Sequence, residues 1–173
     1  MPINTKPHVH NIVMCANVFI RKDGKYLLLK RSEDKKYAPG VVHPFGGKID
    51  PNESPFQAAQ REILEEAGVT LKNMNLEAVV LELSPHKGED ENWLIFHFSA
   101  DYDSGDIIET EEGKAVLLAQ KDIKNQKLFP SLAKIVNHVI NPKNSTVFLT
   151  MSYDKNGNPV ESRSHLDICT LPK

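Results

Sequence analysis

Stretches of strand-forming residues and two stretches with helical spacing divide the 173-residue chain into its elements. Asn11 to Arg21 is rich in strand formers, Lys22-Asp23-Gly24-Lys25 reads as a hairpin turn, and Tyr26 to Lys30 returns as a second strand. Ser32 to Gly40 is polar, closes on Pro39-Gly40 and reads as a loop, from which Val41 to Phe45 leads to a pair of glycines. Pro55 to Ala67 has the period of a helix with both ends signed. Ser54 can cap it, Pro55 fits the first helical position and Gln57 completes a capping box. Gly68 stands where a left-handed residue would stop it. Beyond it, Met74 to Leu83 is aliphatic enough for a buried strand, Ser84 to Asn92 is a charged loop, and Trp93 to Ala100 is a strand. His86 and His97 are expected in surface and sheet roles. Asp101 to Gly113 reads as a long acidic loop, Lys114 to Ala119 as a strand and Lys121 to Gln126 as a short helical turn. Pro130 to Ile140 is an amphipathic helix with Leu132, Ile135, Val136 and Val139 on one face. Val147 to Tyr153 and Val160 to Ile168 can form a last hairpin across Asn156-Gly157. Strands and helices alternate irregularly, which predicts an α+β fold, a mixed β-sheet sandwiched between helices, rather than a doubly wound α/β sheet.

Length changes this picture little: 173 residues suit a single domain, 1–173, with residues 1–9 as an N-terminal arm and 146–168 as the C-terminal hairpin. The net charge of −2 supplies no global basic field, so a duplex nucleic acid is not the expected partner. Two cysteines, Cys15 and Cys169, make no disulfide framework and fit a reduced, cytoplasmic chain. The N-terminus lacks the basic-then-apolar layout of a signal peptide, and no apolar run approaches membrane-spanning length. Exposed strands or the C-terminal hairpin could pair between two copies, which leaves a homodimer open.

Charge within the first helix is more informative. On a wheel of about 100° per residue, Phe56, Ala59, Ile63, Leu64 and Ala67 share a broad apolar arc. Glu62, Glu65 and Glu66 crowd the arc beside it, with Ala58 between them. Acids at i, i+3 and i+4 repel by a few tenths of a kcal/mol per pair, roughly. Arg61, the only base on the helix, can offset one of the three. A cation is missing from this inventory, and a hard divalent ion such as Mg²⁺, with its preference for oxygen ligands, fits. Gly46-Gly47 can bring the backbone close to a ligand and aim a carbonyl at a metal, and Glu53 adds a further acid ahead of the helix.

Gly47, Glu53, Arg61, Glu62, Ile63, Glu65, Glu66, Gly68 and Val69 match every fixed position of the Nudix box, Gly-x5-Glu-x7-Arg-Glu-U-x-Glu-Glu-x-Gly-U, within residues 46–69. The chain therefore resembles the Nudix hydrolases. The resemblance implies a Nudix fold and Mg²⁺-dependent hydrolysis of a nucleoside diphosphate linked to another moiety, with Mn²⁺ as a substitute ion. On that basis Glu62 and Glu66 are the expected main metal ligands, joined by the Gly47 carbonyl, with Glu65 a further ligand or the general base. Arg61 orients these acids by ion pairing, and Glu53 serves as an outer acid or base. In similar proteins an acid of the loop before the next strand joins the metal cluster or orients the attacking water; Glu112 is the best positional match, with Glu109 and Glu111 as rivals.

The substrate expected from the resemblance is a small nucleotide. The Phe-Gly-Gly-Lys start of the box, Glu112-Gly113 ahead of a strand and the closing Phe-Leu-Thr-Met-Ser-Tyr-Asp segment are similar to the MutT-like branch. That branch converts nucleoside triphosphates, oxidised purines such as 8-oxo-dGTP among them, to the monophosphate and pyrophosphate. Arg31 is a candidate phosphate contact because a guanidinium forks onto phosphate oxygens. Phe45, Gly46 and Lys48 are the neighbouring candidates. His43 stands where that branch often carries an Asn that reads the base, and it can hydrogen-bond a base edge. Hydrolysis of ADP-ribose or another sugar or dinucleotide diphosphate, and a non-catalytic nucleotide sensor, are the alternatives.

Overall fold

The computed structural model describes residues 11–86 and 91–170; the expected N-terminal arm, and part of the charged loop before Asn92, lie outside the described residues. Among the described residues, nine strands, numbered in chain order, form one mixed sheet in the order β3-β2-β1-β6-β5-β8-β9, with β4 added beside β1 and β7 beside β2. The first hairpin is as expected: β1 (Ile12–Lys22) turns over Asp23-Gly24 into β2 (Lys25–Arg31). Two short strands, β3 (Val42–His43) and β4 (Phe45–Lys48), lead into the first helix, α1 (Pro55–Ala67). β4 lies antiparallel to the first half of β1, with Ala16 opposite Gly47 and Asn17 opposite Gly46.

The helix ends follow from local chemistry. Ser54 accepts from the Gln57 amide and Gln57 reaches back to the Ser54 amide, closing the capping box. Gly68 takes φ 70° and donates its N–H to the Leu64 carbonyl. The buried face differs from the wheel. Ala58, Ala59, Ile63 and Ala67 are buried, whereas Phe56 and Leu64 lie exposed. The small residues let α1 sit close on the sheet, so the bulky ones fall to its flank, where Phe56 meets Phe98 edge-on.

β5 (Val69–Leu83) begins directly after the helix, five residues before the expected start at Met74. Its register against β6 (Asn92–Gly105) shifts between Thr70 and Leu71, Lys72 and Asn75, and Leu76 and Ala78, so its alternating pattern is broken in the sequence. The expected acidic loop from Asp101 is likewise shorter, because Asp101 to Gly105 continue β6. β7 (Gly113–Leu118) follows, then a single turn of helix, α2 (Gln120–Ile123), and the amphipathic α3 (Pro130–Val139). In the C-terminal hairpin β8 (Ser145–Ser152) pairs with β9 (His165–Thr170), and a 3-10 turn at Glu161–Arg163 occupies the expected start of the second strand.

Two cores lie on opposite faces of the sheet. One packs α1 against Val18, Ile20, Phe45, Val69 and Phe98; the other packs α3 against Phe19, Leu28, Val80, Val147 and Leu149. This is the mixed sheet between helices that the irregular alternation predicts. Cys15 is buried and Cys169 exposed, and both are free thiols. No helix among the described residues is long and apolar enough to cross a membrane.

Candidate active site

Two of the three α1 acids, Glu62 and Glu65, are held by a single guanidinium. Arg61 forks onto Glu53, Nε to Oε1 at 2.8 Å and Nη2 to Oε2 at 2.9 Å. Its Nη1 donates to Glu62 at 2.9 Å and Glu65 at 3.2 Å, and Nη2 also donates to the Lys48 carbonyl at 3.1 Å. The Glu53 bonds, then the Glu62 bond, hold the Arg61 proton more firmly than usual. In return the guanidinium keeps Glu53 below the ordinary carboxylate range. Both Glu53 oxygens are engaged by Arg61, and Oε2 also accepts from the Asp50 N–H at 3.1 Å.

The glycine pair fits against these acids. Gly46 takes φ 140° in a tight approach to β1, where a side-chain carbon would lie 2.1 Å from the Ala16 carbonyl oxygen. Its N–H donates to Glu66 Oε2 at 3.1 Å. A side-chain carbon on Gly47 would stand 2.5 Å from the Glu62 carboxyl carbon, so a side chain there would displace that carboxylate. Burial raises the Glu66 pKa to about 7; the Gly46 N–H opposes the rise, and the charges of Glu62, Glu112 and Glu65 add to it. Four carboxylates thus share one electrostatic neighbourhood.

Glu112 comes from the loop before β7. Lys35 donates to its Oε1 at 2.9 Å and Arg31 Nη1 lies 3.9 Å from its Oε2. The Lys35 bond, with Arg31 assisting, holds Glu112 below the ordinary range. Its rivals Glu109 and Glu111 line a separate depression beside Ser32 and Asp34. Among the described residues, no three His, Cys, Asp or Glu side chains converge closely enough to hold a metal ion as they stand. The donor set suits a hard divalent cation all the same. Glu66 bears the raised pKa of a carboxylate lacking a compensating charge, and its neighbours are further carboxylates and a glycine backbone.

A cleft of about 420 Å³ lies between the sheet and α3 and meets this cluster at Gly46, Gly47 and Glu112. Arg31, His43, Gly46, Gly47, Lys48 and Glu112 all line it. Phe45 does not: it is 1 % exposed in the core beneath α1, because side chains alternate along the strand and its neighbours take the cleft side. The side chain of Phe45, an expected substrate contact, packs in the core and does not line the cleft. His97, expected to be a sheet residue, is one, but its ring forms part of the cleft wall. Its position on β6, directly opposite Asn17 of β1, puts it there.

The sequence reading also missed Tyr37, Glu82, His86, Trp93 and Phe129, which line the cleft. Tyr37 stacks on Phe129 with ring centroids 6.0 Å apart, and His86 meets both Tyr37 and Trp93 edge-on. These rings also bound an adjoining outer chamber of about 650 Å³, closed on its far side by Tyr153, Asn156 and Gly157. An aromatic residue every few dozen positions leaves no local signal; only the fold gathers them.

Among the described residues, the buried side-chain nitrogens and oxygens without a hydrogen-bond partner are His43 Nε2, Trp93 Nε1 and both ring nitrogens of His97. All belong to residues of the cleft wall. Burial lowers the His43 pKa to about 4, and burial followed by the proximity of His43 lowers that of His97 to about 3. Both rings are therefore neutral near pH 7. Burial also pushes the Cys15 thiol up to about 12, which leaves it unreactive.

Residues 11–139 match the NUDIX domain family model. The NAD-capped RNA hydrolase NudC of Shigella dysenteriae serotype 1 is 35% identical over 97 residues, 56% of this chain and 34% of that protein. The protein of the same name from Chromobacterium violaceum is 36% identical over 90 residues, 52% of this chain and 31% of its own length. The chain thus spans about a third of the length of these relatives. Among solved structures, the MutT protein from Bacillus halodurans superposes with a TM-score of 0.77 at 22% identity, covering 90% of this chain and 97% of that one. A MutT NUDIX hydrolase from Burkholderia pseudomallei gives a TM-score of 0.62 at 26% identity, covering 74% and 97%.

Proposed function

The chain belongs to the Nudix family, hydrolases acting on pyrophosphate bonds, and from that premise we propose that it cleaves a nucleoside triphosphate to the monophosphate and pyrophosphate with Mg²⁺. The observation that carries this reading is a neighbourhood of four mutually repelling carboxylates, one of which, Glu112, lines a cleft whose walls offer unpaired ring nitrogens.

Glu62, Glu66, Glu112 and the Gly47 carbonyl would hold the metal, which neutralises the phosphate chain and activates water when bound. Arg61 fixes the directions of Glu62 and Glu65, and Glu53 fixes Arg61. Glu65 is the most exposed of the three helix acids that line the expected metal site and takes the proton from the attacking water. Arg31 lies beside Glu112, where it meets the phosphates. Lys48, at the boundary of the two chambers, supplies a second positive charge. The base enters the inner cleft, where His43 and His97 contribute neutral polar edges between aromatic walls.

A second reading is favoured by the outer chamber. Its aromatic walls suit a second flat ring, as in a dinucleotide or ADP-ribose, and the NudC relatives are described as NAD-capped RNA hydrolases. Magnesium-dependent turnover of the four dNTPs, 8-oxo-dGTP, ADP-ribose and NAD, with Mn²⁺ as a parallel ion, decides between them. Release of pyrophosphate from triphosphates is the expected result. Cleavage of ADP-ribose or NAD alone transfers the proposal to the second reading, and nucleotide binding without any turnover would make the domain a sensor.

A further inference from the structure

His43 is fixed in one tautomer by its neighbour. Its Nδ1 lies 2.8 Å from the Pro44 carbonyl oxygen, and a carbonyl oxygen can only accept, so Nδ1 carries the proton. The other ring nitrogen, Nε2, is then a lone pair, and it has no partner in the cleft wall. His43 is an acceptor by construction.

A second acceptor stands across the cleft. Glu82, on β5, is paired directly with Trp93 on β6 and lines both chambers. Tyr153 donates its hydroxyl to Glu82 Oε1 at 2.7 Å, which orients the carboxylate and leaves its remaining lone pairs for another donor. Tyr153 lies beyond residues 11–139, the part that matches the family model. The Trp93 indole N–H and the one N–H of neutral His97 are the unpartnered donors of the same wall.

We infer that Glu82, oriented by Tyr153, and His43, locked as an acceptor by Pro44, make the cleft select nucleotides whose base presents N–H donors along its edge. Exocyclic amino groups and ring N–H groups satisfy these acceptors; an analogue lacking the donor leaves a buried lone pair unmatched, which costs far more than losing a contact in water. A site built to hydrogen-bond a ligand group discriminates strongly against the analogue without it. Glu82 and His43 are specificity-determining residues in this account, and Tyr153 is a positioning residue. The inference rests on the nucleotide reading of the same cleft.

Binding of monophosphates tests it without requiring turnover. Calorimetric Kd values are compared within three pairs: GMP and IMP, and AMP and purine riboside monophosphate, which differ by one amino group, and 8-oxo-GMP and GMP, in which N7 becomes an N–H donor and C8 gains a carbonyl. In at least one pair the donor-bearing member binds about tenfold or more tightly. Glu82→Gln, which replaces one acceptor by an amide donor at equal size, brings that ratio to about one or inverts it. His43→Phe lowers the ratio, His43→Gln, which keeps an acceptor oxygen, restores most of it, and Tyr153→Phe gives an intermediate value. A purely structural role would change stability or overall affinity and leave the ratio alone. Equal Kd values within all three wild-type pairs, an unchanged ratio in folded Glu82→Gln and His43→Phe protein, or no binding of any monophosphate at millimolar concentration would overturn the inference. Should the ratio hold while triphosphates are not hydrolysed, the hydrolytic reading alone fails; turnover without a donor preference removes only the inference.

Discussion

As a proposed metal ligand, Glu66 would link metal binding to pH. Its pKa of about 7 in the fold lies above the 4.5 of a free glutamate. In metal-free protein its contribution to stability is complete below pH 4.5 and lost as pH rises through 7, because the folded form then carries a poorly solvated charge. A divalent ion must displace that proton, so Mg²⁺ affinity is expected to rise through pH 6 to 8, by up to about tenfold per pH unit below the pKa. Titration calorimetry in buffers of different ionisation enthalpy would report the accompanying proton release. Glu66→Gln keeps an oxygen for the Gly46 N–H and so keeps the fold, while abolishing metal-dependent turnover and flattening the pH dependence. An unaltered profile in that variant would remove Glu66 from the ligand set.

Helix α1 is the element on which the site stands, and its two ends are secured differently. The Ser54 cap is a side-chain device, so Ser54→Ala is expected to cost about 1 kcal/mol. Gly68 is a backbone device. At φ 70° a side-chain carbon would lie 2.5 Å from the Asp106 carbonyl oxygen, so Gly68→Ala combines left-handed strain with a clash and should cost more than the cap. Urea denaturation of the two variants gives the order, and equal losses would contradict it. The same element shows how far periodicity reaches. The limits Pro55 to Ala67 were legible from residues within four positions of each end, whereas the burial of Ala58 and the exposure of Phe56 depend on how closely the helix approaches β1 and β4.

Across the whole molecule, two neutral histidines buried in the cleft wall tie function to acid stability. Their pKa values, about 4 for His43 and about 3 for His97, lie below the usual 6.5. The unfolded chain binds their protons first, so stability present above pH 6.5 is lost as pH falls through 6.5 towards 4, by roughly 1–3 kcal/mol per residue. Thermal melts of wild type and His97→Phe between pH 7 and 4 should show a shallower fall in the variant; parallel curves would mean that His97 takes up its proton equally in both states. The sequence by itself determined the parts of the protein governed by neighbours along the chain: the box with its Gly46-Gly47 turn and crowded acids, the capped helix, the first hairpin and the amphipathic α3. Spacing carries these, because a helix or turn brings together residues only a few positions apart. Only the tertiary structure decided which acid outside the helix faces the cluster, that Phe45 turns into the core while His97 faces the cleft, and that Tyr153 meets Glu82 across 71 positions. Those contacts depend on strand register and on which sheet face each side chain takes, and a shift of one residue in pairing would reverse them all.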